Sequence, residues 1–337
     1  MTGKITLKWQ RIASSDDLRR SSQTIGVANG RLDVFGGELK PREPVDNKLY
    51  HVDLQAQSAV TVSEPMGDSP APRVGSASTT LGGTMYLFSG RGNVAMAPID
   101  EQGKLWACAG GNNWQCLEPS DPSKPVPPPR SYHAMANDGR DAIYVHAGCS
   151  ESGRLNDLWA FVVSGRRWVQ LASAPGSERG GTSIAFCASE DALYRLNGFD
   201  GKSEIGGTVD VYNPVNNHWT SKEYNADGVE GPVPRSVSTL LCLDVGGKSW
   251  LVTAFGERDP SSLGHQGAGK MLSDVWAYDI KEHQWFKVEA EGGDEAPEPR
   301  GWFAADVLGT DTIVVHGGLA EDNSRLGDVW LGRLRVE

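Results

Sequence analysis

The sequence predicts an all-β fold, a six-bladed β-propeller closed by its own amino-terminal strand. Three observations carry that expectation. Apolar, strand-like runs end six times at a glycine step: Gly36-Gly37, Ser89-Gly90, Ala147-Gly148, Asn197-Gly198, Phe255-Gly256 and Gly317-Gly318. The steps recur every roughly 50 to 62 residues, a period suited to a radial repeat. Most are followed by an Asp or Asn before an aromatic and then by a closing Trp, as in Asp157-Leu158-Trp159 with Trp168 and Asp274-Val275-Trp276 with Trp285. Finally, the last segment lacks a fourth strand after Asp328-Val329-Trp330-Leu331, while the amino terminus supplies a surplus one, Leu7-Lys8-Trp9-Gln10-Arg11-Ile12. Pairing these two removes both exposed edges.

Each segment reads as a four-stranded meander. In the third, Arg130–Met135, Ala142–His146, Leu158–Phe161 and Trp168–Leu171 are the strands, separated by Asn137-Asp138-Gly139 and Ser164-Gly165 in the manner of hairpin turns. The fourth segment repeats the beat with Tyr194, Asp210-Val211-Tyr212 and Trp219, and the fifth with Trp250, Asp274-Val275-Trp276 and Trp285. The expected blades span 20–66, 70–119, 127–175, 178–224, 232–290 and 297–337 with 4–12, all in one domain, 1–337. One blade alone cannot bury both faces, so closure of the ring is what shelters the aromatics.

Composition agrees with this plan. The 337 residues include 41 Gly and 19 Pro, suited to a fold made largely of turns, and 11 Trp that supply buried area. A formal net charge of -11 sets the long-range field against nucleic acid and anionic membranes. Neither a membrane-length apolar stretch nor a signal-peptide core is present in the sequence. Cys108, Cys116, Cys149, Cys187 and Cys242 show no CxxC spacing and lie mostly in apolar runs, as reduced thiols of a cytoplasmic protein do. GxSxG, HExxH and GxxxxGK[ST] are absent, so hydrolysis by those routes and a nucleotide cofactor are not expected.

The glycine step, the Asp before an aromatic and the spaced Trp resemble the Kelch repeat along the whole chain. Within that family, Phe35-Gly36-Gly37-Glu38, Pro44–Tyr50 and Arg300-Gly301-Trp302 are similar to the plant specifier proteins. These are the nitrile-specifier, thiocyanate-forming and epithiospecifier proteins. They redirect glucosinolate aglycone breakdown toward nitriles, epithionitriles or thiocyanates with ferrous iron. The resemblance thus implies a non-redox lyase or isomerase acting on a reactive anionic small molecule.

In an up-and-down blade, the loop between the second and third strands opens on the same face as the loop entering the next blade, and function is sought there. Arg20, Arg73, Arg130, Arg179, Arg235 and Arg300 begin the blades, and Glu38, Arg91, Arg154, Glu257 and Arg325 follow the glycines. Two readings of the first set stand: an anion site built from guanidinium groups, with Arg130 as a substrate-binding candidate, or ties to carbonyls and acids within the fold. In the long loop Gly256–Gly269, Glu257, Asp259 and His265 could supply oxygen and nitrogen ligands for Fe(II) or another divalent ion. The resemblance sharpens that set, because specifier proteins carry Glu, Asp and His at four-residue steps. Glu257 and His265 match the outer two, and Ser261 holds the middle place. It also implies Arg91 and Arg154 as anion-fixing catalytic residues, with Tyr132 and Trp302 as the aromatic wall for substrate. The rival reading is a protein-interaction scaffold, with a protein partner or a homodimer in place of chemistry.

Overall fold

A computed structural model describes residues 4–56, 59–291 and 295–337, and the backbone but not the side chain of His265. Six antiparallel meanders surround a central channel, as expected. Blade 1 runs Thr24–Ala28, Arg31–Phe35, Leu49–Asp53 and Thr61–Ser63. Blade 2 is Ala77–Leu81, Thr84–Phe88, Leu105–Cys108 and Trp114–Leu117; blade 3 is Ala134–Asn137, Ala142–Cys149, Arg154–Val162 and Arg167–Leu171. Blade 4 contains Ser183–Cys187, Ala192–Leu196, Thr208–Asn213 and His218–Glu223, and blade 5 contains Leu241–Val245, Lys248–Ala254, Val275–Asp279 and Gln284–Lys287.

Blade 6 takes Ala304–Leu308, Thr312–Leu319 and Arg325–Val336 from the carboxyl-terminal end, and Ile5–Ser14 from the amino-terminal end. That last pairing is antiparallel from Ile5 opposite Val336 to Ser14 opposite Asp328, with a bulge between Arg11 and Ala13. Its outer edge is covered in turn by Glu289–Ala290, which pairs in parallel with Thr6 and Leu7. Trp9 stands in the closing-Trp position and packs on Phe255 of blade 5, ring centroids 6.0 Å apart. The closure is therefore apolar as well as hydrogen-bonded.

The blade-start arginines are fold ties. Arg130 donates Nη1 to Asp157 Oδ1 at 2.7 Å and Nη2 to Oδ2 at 2.8 Å, and Nη1 also reaches Ala147 O at 3.0 Å. Arg235 with Asp274 and Arg300 with Asp328 repeat the arrangement, and Arg73 does so with Glu101. In each case a Trp indole N–H shares the carboxylate: Trp159, Trp276, Trp330 and Trp106 respectively. Bidentate geometry plus a third donor satisfies charges that burial would otherwise penalise. Arg130 is fully buried, so the expectation that it contacts substrate is corrected: its guanidinium is enclosed by Asp157, Ala147 and Pro128.

Blade 4 departs from the pattern. Tyr212 lies opposite Trp219, as Phe161 lies opposite Trp168 and Tyr278 opposite Trp285. Asp210-Val211-Tyr212 is thus displaced by two residues from the register read in the sequence, and Thr208 holds the place of Asp157. Asp210 instead accepts from Arg195 Nε and Nη2 at 2.9 and 2.6 Å, a pair standing where blade 3 has Trp159 and Val145. Arg179 keeps its carbonyl ties to Asn197 and Ser177 but no carboxylate among the described residues. Burial and the neighbouring Arg195 charge push its pKa down to about 10.

Two backbone rings lock the blades together. The glycine in the second place of each step donates to the carbonyl of the next blade's arginine: Gly37 to Arg73, Gly90 to Arg130, Gly148 to Arg179, Gly198 to Arg235, Gly256 to Arg300 and Gly318 to Arg20. Two residues beyond each arginine, Ser22, Gly75, Tyr132, Gly181, Val237 and Trp302 all take left-handed backbone conformations. They form a collar at the channel mouth in which each N–H donates to the preceding member's carbonyl, at 2.7 to 3.2 Å, until Ser22 closes the circle on Trp302. Gly75 is required by its neighbour, since a Cβ there would stand 2.7 Å from the Tyr132 ring.

Arg235→Met leaves Asp274 buried without its partner, and a loss of about 3–5 kcal/mol is expected by urea unfolding; Arg235→Met with Asp274→Leu should recover part of it. Acid lability follows from His316, where neutral Nε2–H donates to Leu18 O and Nδ1 accepts from Gln23. Burial, then the Arg20 charge, lowers its pKa from 6.5 to about 3. A depressed histidine contributes stability above its unfolded pKa and loses it as pH falls through the interval down to the folded value. The melting temperature should therefore fall as pH drops below 6.5, and less steeply in His316→Gln.

Candidate functional site

The residues after the glycine steps occupy equivalent positions, each bridged to the residue after a blade-start arginine: Glu38, Arg91, Cys149, Phe199, Glu257 and Leu319. Four of them, Arg91, Cys149, Phe199 and Glu257, surround an off-axis cavity of about 260 Å³ on the loop face. Its inner wall is the bulky arc of the collar, where Tyr132 meets Trp302 edge to face with centroids 5.2 Å apart. Arg154, Glu204 and Ser261 complete the charged and polar lining. The central channel, about 580 Å³, lies beneath and is lined by inner-strand residues including His133 and Asp306.

Arg91 lies on the short strand Arg91–Gly92, paired with Ala97–Pro98, and donates Nε to Ser131 Oγ at 2.6 Å. Arg154 begins the third strand of blade 3 opposite Cys149, and its guanidinium stacks 5.0 Å from the Phe199 ring centre. The Arg154 Nε is buried with no hydrogen-bond partner. Gly201 admits that guanidinium, since a Cβ there would lie 2.6 Å from Nη1. Among the described residues, neither arginine forms an ion pair. Arg325, which opens its strand opposite Leu319 as Arg154 does opposite Cys149, is instead neutralised by Glu38 at 3.2 Å. One side of the loop face thus keeps two guanidinium groups out of ion pairs among the described residues, with the Arg154 charge felt at longer range by Asp200, and the other side cancels its one with Glu38.

The carboxylates of the cavity are held differently. Glu257 accepts from Gly269 N through Oε1 at 2.6 Å and from Trp302 Nε1 through Oε2 at 3.1 Å. Glu204 has a buried Oε1 with no partner. Burial raises the pKa of both, and the charge of Glu204 adds to the shift at Glu257. The Cys149 thiol is also raised by burial, against the opposing pull of Arg154 and Arg91.

Of the residues expected from the sequence, Arg91, Tyr132, Arg154, Glu257, Ser261 and Trp302 line this one cavity. Asp259 does not: its carboxylate turns outward to Arg258 Nε at 3.1 Å and is mostly exposed. The backbone of His265 lies in the short 3-10 turn Gly264–Gln266, and its side chain falls outside the described residues. Both oxygens of Glu257 are engaged, Ser261 offers a hydroxyl that already accepts from Leu263 N, and no cluster of three His, Cys, Asp or Glu occurs among the described residues. Ser261, in the middle place of the expected set, offers a hydroxyl, a weaker ligand than a carboxylate, and His265 is the member of that set whose side chain lies outside the described residues. Sequence reasoning missed Cys149, Phe199 and Glu204. Cys149 and Phe199 follow glycine steps just as Arg91 and Glu257 do, which was the available signal; Glu204 sits in a polar turn and offered none.

Six meanders around a channel, with a cationic and aromatic cavity set in the loop face, define a six-bladed β-propeller. The chain belongs to the Kelch-repeat family: residues 22–255 match the KLHDC2/KLHL20/DRC7 Kelch-repeats domain. It is 28% identical over 337 residues to an N-(sulfonatooxy)prop-2-enimidothioate sulfolyase of Thlaspi arvense, covering 92% of this chain and 91% of that one. An F-box/kelch-repeat protein of Arabidopsis thaliana is 25% identical, and the alignment spans 95% of this chain but 55% of that longer one. Among solved structures, the one titled "Structure of YjhT" superposes with a TM-score of 0.71 at 15% identity, covering 97% of this chain and 99% of that chain, a likeness of fold. No helix among the described residues is long and apolar enough to cross a membrane.

Glu257→Gln places an amide N–H against one of the two donors that now meet the carboxylate. A stability loss of about 1–3 kcal/mol is expected, with faster proteolysis of the loop near Gly269. Unchanged unfolding and cleavage would show that Glu257 does not organise the loop.

Proposed function

We propose that this protein is a lyase of small, reactive, sulfate-bearing anions, with the loop-face cavity as its active site. The observation that carries the reading is the pair Arg91 and Arg154, unneutralised over an aromatic wall. The similarity to a sulfolyase names a substrate class that such a pair suits. In an N-sulfonatooxy thioimidate, the N–O bond breaks with its electron pair departing on sulfate, while the bond from the imidate carbon to its carbon substituent breaks and that substituent bonds to nitrogen or sulfur, which leaves a neutral organic product. Two guanidinium groups placed at the sulfate stabilise the charge that grows there, more in the transition state than in the ground state. Tyr132, Phe199 and Trp302 then enclose the remaining carbon, nitrogen and sulfur fragment away from water. Glu204, whose carboxyl is pushed up by burial and whose Oε1 meets no partner among the described residues, is suited to hold a proton in the same cavity. No step of this scheme passes through a metal.

The test follows inorganic sulfate and organic products from freshly generated N-(sulfonatooxy)prop-2-enimidothioate. Wild type should change the product mixture relative to spontaneous decay, and Arg91→Ala or Arg154→Ala should reduce that effect about 100-fold, on the scale of removing one preorganised donor. A mixture identical with and without protein overturns the reading. Anaerobic Fe(II) titration of wild type beside Glu257→Ala and His265→Ala separates the metal expectation from this one: binding lost in both variants would support a metal at this loop.

A second reading, a protein-binding face, draws on Leu39, Val94 and Leu263, large apolar residues exposed on loops of blades 1, 2 and 5. Exposed apolar loop tips suit a partner surface. In that case Val94→Asp would abolish partner capture while leaving product distribution untouched.

A further inference from the structure

Away from the loop-face cavity, two cysteines of adjacent blades converge. Cys187 ends the first strand of blade 4, Ser183–Cys187, and Cys242 lies in the first strand of blade 5, Leu241–Val245. Their sulfurs are 2.7 Å apart. Both are free thiols, and their strands belong to different sheets with no hydrogen-bonded ladder between them. We infer that Cys187 and Cys242 form a reversible thiol oxidation site whose disulfide staples blade 4 to blade 5.

The placement suits the chemistry. Cys242 lines the central channel beside Phe186 and Ala188, so a small oxidant arriving through the channel meets it first. Cys187 is fully buried behind it, against the apolar packing shared by the two blades. Hydroxyls support the buried sulfur: Ser189 Oγ lies 3.5 Å from Cys187 Sγ and is itself 2.7 Å from Ser249 Oγ. Cys242 Sγ donates to Cys187 Sγ across this contact, a path by which the proton passes from one sulfur to the other. Hydrogen bonding from Cys242 and these hydroxyls lowers the Cys187 pKa, and the same contact raises that of Cys242.

With hydrogen peroxide as oxidant, the step balances as follows. The Cys187 thiolate takes the Cys242 proton across their hydrogen bond, and the resulting channel-facing Cys242 thiolate attacks one peroxide oxygen, giving a sulfenic acid at Cys242 and hydroxide. Hydroxide removes the Cys187 proton as water. The Cys187 thiolate then attacks Cys242 Sγ, the S–S bond forms, and a second hydroxide leaves. The two sulfurs lose two electrons together, and the peroxide gains them. Because the partner thiol is already in contact, the sulfenic acid is captured before further oxidation, the behaviour of a resolving pair.

The experiment treats reduced full-length protein with hydrogen peroxide, blocks free thiols, and maps peptides by mass spectrometry, with melting measured before and after. A peptide joining Cys187 to Cys242 is expected, with a melting temperature higher by about 5 °C from the constrained loop, both reversed by dithiothreitol. Cys187→Ser and Cys242→Ser should each lose the cross-link and the shift, whereas Cys149→Ser keeps both. Oxidation of Cys149 or Cys116 without the 187–242 link, or sulfinic acid at Cys242, overturns the proposal. A link that leaves the melting temperature unchanged or lower overturns the staple. Since the wild-type linkage is read directly, the outcome does not depend on whether a variant folds.

Discussion

The molecule depends on one repeated interaction, the double grip of an arginine on two glycine steps. With its side chain, each blade-start arginine holds the carbonyl of the left-handed residue in its own blade's step, as Arg235 holds Phe255 and Arg300 holds Gly317. With its backbone carbonyl it accepts from the N–H of the glycine that ends the preceding blade's step. A tie of this kind needs a left-handed backbone at the step, which is where glycine recurs; in four blades an acid shared with an indole neutralises the guanidinium, while Arg20 lies over the Tyr50 ring and Arg179 has carbonyls alone. Sheet strands give each blade its shape, but this grip gives the ring its circumference.

Because the grip fixes the backbone of the glycine step nearly identically six times, the residue that follows each step differs from blade to blade in its side chain, and the loops beyond it differ in length. Position by position after the glycine it offers an acid, a guanidinium, a thiol, a phenyl ring, a second acid and an isobutyl group. Charge is cancelled at one side by Glu38 with Arg325 and left available at the other by Arg91 and Arg154. Asymmetry of function thus arises on a symmetric frame without strain in the frame itself. Blade 4 shows the limit of that symmetry, where a buried Arg195–Asp210 pair replaces an apolar contact and leaves Arg179 with carbonyls alone.

The architecture was legible because its signals are periodic. Glycine steps mark backbone positions of positive φ, the spaced Trp marks the outer strand, and Trp9 belongs with the last blade because a missing strand must be supplied from somewhere. The lining of the candidate site was legible where the same period carried it, at Arg91, Glu257 and Trp302. It was obscured where partners decide the role of a residue. Arg130 and Arg91 are alike as letters, yet Asp157 encloses the first and no carboxylate among the described residues meets the second. Asp259 looked as good a ligand as Glu257 until the left-handed turn at Asp259 aimed its carboxylate outward. In blade 4, Asp210 before Val211 and Tyr212 mimicked the Asp-apolar-aromatic motif two residues out of step, and only strand pairing with Trp219 exposes the difference.

The collar carries a consequence for how this scaffold diversifies. Its backbone circle asks only for a left-handed residue at each place, and glycine already fills two of the six. Side-chain bulk there is thus independent of the circle's hydrogen bonds. Tyr132 and Trp302 form a partition between an upper chamber and the bore below, and their size sets the depth of the chamber. Trimming either toward glycine would merge the two compartments and admit longer guests, while filling Gly181 would shrink the space, so that lineages sharing one unaltered frame can sort molecules by length.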